Sequence, residues 1–74
     1  MTERLRPSSK LIREGQFVAE VPITLIETDH EWSPYLSAQD VRKLDTVRLA
    51  LRRGDIAAAA KLSRVYELKP VAAE

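Results

Sequence analysis

Seventy-four residues with no cysteine, a single histidine and a formal charge of +1 make one small domain and exclude disulfide or thiolate–metal stapling. A core of this size supplies only about 3–5 kcal/mol, so oligomerisation or a partner is the remaining source of stability. The composition, 45% hydrophobic and 31% charged, is globular rather than disordered, and no apolar run approaches the roughly 20 residues of a membrane span.

Charge is divided along the chain. From Glu14 to Asp40 there is no lysine or arginine, and Glu14, Glu20, Glu27, Asp29, Glu31 and Asp40 give a formal −6. From Val41 to Arg64, Arg42, Lys43, Arg48, Arg52, Arg53, Lys61 and Arg64 outweigh Asp45 and Asp55 to give +5. Division of this kind bears on partners and assembly more than on fold.

Residues 1–9 carry Arg4, Arg6, Pro7 and two serines without periodicity and read as a flexible basic arm, ahead of a single domain over 10–70. After Gly15 the pattern alternates. Phe17, Ala19, Val21, Ile23 and Leu25 share one face, and Val18, Glu20, Pro22, Thr24 and Ile26 the other, as in a strand. Proline cannot donate to a ladder, so Pro22 predicts an edge strand or a bend. Thr28 to Glu31 is a polar turn, and Trp32 to Leu36 is a candidate second strand.

Ser37 caps a first helix, with Asp40 three residues on, and Val41, Leu44, Val47 and Leu51 form its apolar stripe. Gly54 ends it. Asp55 caps a second helix through four consecutive alanines, ending near Arg64. The short link predicts an αα-hairpin. Val65 to Lys69 is a candidate strand with Tyr66 and Leu68 on one side, and 71–74 a loose tail. The expected fold is α+β: a small two- or three-stranded antiparallel sheet packed against an αα-hairpin. Its expected core is Phe17, Val21, Ile23, Leu25, Leu36, Val41, Leu44, Val47, Leu51, Ile56, Ala59, Ala60, Tyr66 and Leu68.

No enzymatic chemistry is expected. His30 sits in a polar turn without a nucleophile at a recognisable spacing, and Glu27, Asp29 and Glu31 lack the spacing of a calcium loop. Two glycines make no phosphate-binding loop. No cofactor or metal is expected, and the lack of cysteine fits the cytoplasm.

Binding is the expected role. The first reading is a protein-binding module whose acidic segment, with Trp32 and Tyr35, meets a small basic partner. Its candidate residues are Glu20, Glu27, Asp29, Glu31, Trp32 and Tyr35. The second is a nucleic-acid regulator in which Arg42, Lys43, Arg48, Arg52 and Arg53 meet phosphates. The alanine-rich second helix is a poor reader of base edges. The third is a self-assembling structural protein, acidic half on basic half. A homodimer or hetero-complex is expected in any case.

The stretch Phe17-Val-Ala-Glu-Val-Pro22, followed by a turn, a short strand and a capped helix, resembles the opening of HicB-type antitoxins. That family has a glycine-rich turn after the proline, where this chain continues Ile23-Thr-Leu-Ile-Glu-Thr28. The resemblance implies pairing through sheets and neutralisation of a small basic ribonuclease toxin. More loosely, the chain looks like the small bacterial partner proteins of toxin–antitoxin pairs.

Overall fold

The computed structural model describes residues 3–29 and 33–72. Its frame is one long hairpin. Strands β1 (Glu3–Glu14) and β2 (Phe17–Thr28) pair antiparallel without a break, from Glu14 opposite Phe17 to Glu3 opposite Thr28. Gly15 bends the chain with φ 60, while Gln16 keeps a negative φ. A two-residue turn with glycine first has the twist that antiparallel strands favour.

This turn fixes which side of β2 each backbone group faces. Glu14 and Phe17 close the hairpin as a hydrogen-bonded pair, so alternate residues from Phe17 onward address β1. Val18, Glu20, Pro22, Thr24 and Ile26 address the opposite side. There β4 (Arg64–Glu67) pairs with Phe17–Glu20, and β3 (Tyr35–Leu36) pairs with Leu25–Ile26, both antiparallel. The result is a four-stranded antiparallel sheet with β2 at its centre. Pro22 faces the gap between β3 and β4, where the ladder has no acceptor for the N–H it lacks.

Helix α1 (Ala38–Arg52) lies across one face of the hairpin. Ser37 Oγ accepts from the N–H of Asp40 at 3.1 Å. Asp40 in turn reaches across to β2, its Oδ2 accepting from the N–H of Thr24 at 2.9 Å. At the other end, the N–H of Gly54 donates to the carbonyl of Leu51 and that of Asp55 to the carbonyl of Ala50. With Gly54 at φ 75, this is a Schellman closure. Asp55 then caps α2 (Ile56–Ala60), its Oδ1 accepting from the N–H of Ala58. The Ser63 hydroxyl donates to the carbonyl of Ala59 as the chain leaves α2 for β4.

The core lies between α1 and one sheet face, the inner face. Its buried side chains are Ile12, Ala19, Val21, Ile23, Val47, Ala50, Leu51 and Ala59. Phe17, Leu25, Leu36, Leu44, Ile56, Ala58 and Val65 pack around them. Three of the eight are alanines, and among the described residues the largest side chains buried essentially completely are those of Val21 and Val47.

Several expectations change here. The sheet has four strands rather than two or three, because Glu3–Glu14 forms a strand where residues 1–9 were expected to be a flexible arm. β2 is central and not an edge strand. α2 ends at Ala60, short of Arg64. β4 places Val65 against the core and Tyr66 outside, the reverse of the expected parity, and Leu68 is exposed as well. A one-residue change of register exchanges the two faces of a strand completely. Val41 and Ala60 are exposed, whereas Ile12, Ala19 and Ala50 are buried.

Candidate partner interface

Among the described residues, only one face of the sheet is covered. The Cα atoms span 54 × 31 × 14 Å, a thickness that accommodates one sheet and one helical layer at about 10 Å separation. The other face, the outer face, carries the side chains left over by the pleat. The pairing register arranges them in rows. Leu5, Ile26 and Tyr35 form one row. Leu11, Glu20 and Arg64 form another, and Arg13, Val18 and Tyr66 a third. Pro7 with Thr24, Ser9 with Pro22, and Glu3 with Thr28 complete the face.

The face mixes apolar and polar side chains, and its largest apolar ones are mostly solvent-exposed. Leu5 is 66% exposed, Leu11 69%, Tyr35 44% and Tyr66 46%. Large apolar side chains clustered on one exposed face mark an interaction surface, whereas scattered ones do not. The formal charges on these rows are Glu3, Glu20, Arg13 and Arg64, which balance. Tyr66 and Glu20 hold the Arg64 guanidinium above its ordinary pKa, the hydrogen-bonding influence of Tyr66 being the larger. A groove beside Pro22, lined by Ser9, Glu20, Lys61, Ser63 and Arg64, continues the face towards the α2–β4 turn.

The β1 edge of this sheet is guarded. By the same pleat that turns Pro22 away from β1, Pro7 turns its nitrogen outward along the open side of β1, so that edge lacks one donor. Arg4, Arg6, Lys10 and Arg13 add charge along the same strand. Proline and charge on an edge strand oppose addition of another strand.

Among the described residues, the acids of the −6 segment have partners inside the molecule. Arg4 approaches Asp29 at 3.6 Å, Arg6 approaches Glu27 at 3.7 Å and Arg52 approaches Glu14 at 3.3 Å. Glu20 lies directly opposite Arg64, and Asp40 is engaged with Thr24. Exposed pairs of this kind contribute little stability each, about 0–1 kcal/mol. Their effect is to cancel the negative field that the sequence concentrates in one segment. Of the six candidate partner-binding residues, Glu20 and Tyr35 lie on the outer face, Glu27 shares the inner-face parity, and Asp29 lies just past β2. Glu31 and Trp32, like His30, lie outside the described residues.

The basic residues of α1 do not converge. At about 3.6 residues per turn, Arg42 and Arg53 project away from the sheet with Leu49. Arg48 and Arg52 lie along one flank and Lys43 along the other. Arg48 pairs with Asp45 at 3.4 Å and Arg52 with Glu14.

Leu5, Pro7 and Leu11 join this surface without having stood out in the sequence, and Tyr66, expected in the core, joins it as well. The signal for β1 was Glu14-Gly15-Gln16-Phe17, a glycine-first turn ahead of a strand, which makes the preceding residues its hairpin partner. Comparison with protein-family models, curated proteins and solved structures returns no match for this chain.

Proposed function

We propose that this chain is a non-enzymatic protein-binding module that docks through the outer face of its sheet. The exposed side chains of Leu5, Leu11, Tyr35 and Tyr66, with half-buried Ile26 between Leu5 and Tyr35, carry the reading. In this reading α1 and α2 act as an αα-hairpin that backs the inner face and leaves the outer one free for a partner. An antitoxin or inhibitor role, in which this face covers a partner's working surface, is the form suggested by the sequence resemblance. The internal pairing of Glu27 with Arg6 and Asp29 with Arg4 favours a partner surface that is apolar and charge-balanced over one that is simply basic.

The test is site-directed photo-crosslinking. A photoreactive residue at Leu11 is expected to give a protein adduct, with another protein or with a second copy, and one at Leu49 on the far side of α1 none. Equal yields from both positions would refute the reading.

A further inference from the structure

We infer that the occupant of the outer face is a second copy of this chain, docked face to face with its strands antiparallel. The inference rests on the open-face reading above and adds the identity and orientation of the partner.

Area is the first argument. The surface of 5763 Å² is about 1,100 Å² above the roughly 4,600 Å² of a compact folded monomer of 8.4 kDa. A standard stable interface takes about 800 Å² from each partner. The excess is enough for one side of a dimer interface. The radius of gyration, 15.2 Å, likewise exceeds the roughly 11 Å of a compact chain this long. Both excesses reflect the long hairpin: Glu3 to Leu11 are exposed throughout, and among the described residues nothing packs on the outer face.

Charge complementarity is the second argument, and it fixes the orientation. Glu3 and Arg13 lie at opposite ends of the outer-face residues of β1, which are centred on Ser8. A two-fold axis through the Ser8 level, in the interface plane and perpendicular to the strands, lays β1 on β1 with the ends exchanged. Glu3 then meets Arg13 of the other copy, twice over. Leu5 meets Leu11, Thr24 meets Pro22, and the ring of Tyr35 meets Arg64, a favourable cation–π partner. The alternative axis along the strands leaves Glu3 and Arg13 without these partners. Aligned packing of two twisted sheets, with strands within about 30° of each other, accommodates this arrangement. A two-fold interface is also the commonest route to a homodimer.

Sedimentation of the full chain over a concentration series tests this. The wild type is expected to reach twice 8.4 kDa. Leu11→Lys is expected to weaken association by more than about tenfold, because it replaces the Leu5–Leu11 contact between the copies with a charge, while Leu49→Lys changes nothing. Glu3→Arg and Arg13→Glu each weaken it by several-fold, and combining the two restores it to near wild type. Circular dichroism verifies that each variant folds. A wild type that stays monomeric at every concentration, yet binds a hydrophobic dye that Leu11→Lys abolishes, overturns self-association and leaves the open-face reading standing. A dimer indifferent to Leu11→Lys places the contact elsewhere and overturns both. Failure of the double charge reversal to restore association overturns the antiparallel orientation.

Discussion

The carboxylate of Asp40, on the first turn of α1, accepts a hydrogen bond from the backbone N–H of Thr24, in the gap of the sheet between β3 and β4. One side chain thus does two jobs. It places negative charge at the positive end of the helix dipole, and it satisfies a strand donor that the interrupted ladder leaves without a carbonyl. Asp40→Ala is expected to cost about 1–3 kcal/mol, since Thr24 loses its acceptor in a half-buried site. Asp40→Asn keeps an acceptor oxygen and is expected to cost less. Urea denaturation of the two variants gives the order, and equal costs would show that the hydrogen bond is unimportant.

Asp55 closes α1 with its backbone and opens α2 with its side chain. Asp55→Ala retains the first contact and loses the second. The expected cost is about 1 kcal/mol, and Asp55→Asn or Asp55→Ser should recover most of it. The check is thermal melting at fixed protein concentration, because association with a partner changes apparent stability.

Gly54 adopts φ 75 with open space where a Cβ would lie. Gly54→Ala therefore meets no steric obstacle and carries only the left-handed backbone penalty, about 1–2 kcal/mol. A loss well above this in denaturant titration would mean that the α1–α2 link makes a contact beyond the backbone geometry.

Removing residues 1–9 discriminates an arm from a strand. An arm is dispensable. Here deletion strips the pairing partners of Pro22–Thr28, together with Arg4 and Arg6, the partners of Asp29 and Glu27. The truncated chain is expected to lose its cooperative urea transition or shift it strongly to lower urea. An unchanged midpoint would return these residues to the status of a tail.

Val21 is fully buried at the centre of a thin core. Val21→Ala leaves a void that few neighbours can fill, at a cost of about 2 kcal/mol. Against a core contribution of about 3–5 kcal/mol, that is a large fraction. The variant's melting temperature should rise with protein concentration if a second copy supplies the rest. A melting temperature independent of concentration would separate folding from association.

The caps that start both helices and the turn that ends α1 were legible in the sequence, while the end of α2 was not. Ser37, Gly54 and Asp55 mark helix ends because their side chains or backbone freedom act within a few residues. Alternation from Phe17 to Ile26 marks β2 because its inner face is buried by α1. Leu44, Val47 and Leu51 mark the helix stripe for the same reason. β1 was not legible: much of it is exposed on both faces, so no apolar alternation betrays it, and only the Gly15 turn points to it. Tyr66 was read on the wrong side because a four-residue strand fits either parity, and its pairing opposite Val18 decides between them.

By itself the sequence determined a one-domain α+β chain with capped helices, too little core to be comfortable alone, and a segment with a −6 charge. Only the tertiary structure decided what that charge does. It folded the basic N-terminal residues onto the acidic strand, so that Arg4 and Arg6 meet Asp29 and Glu27 across a hairpin rather than along the chain. Pairing between distant residues depends on register, and register is set by the Gly15 turn and the helix that covers one face. The same folding left Leu5, Leu11, Tyr35 and Tyr66 together on the uncovered face, because a pleated strand must send every second side chain to the side that no helix reaches.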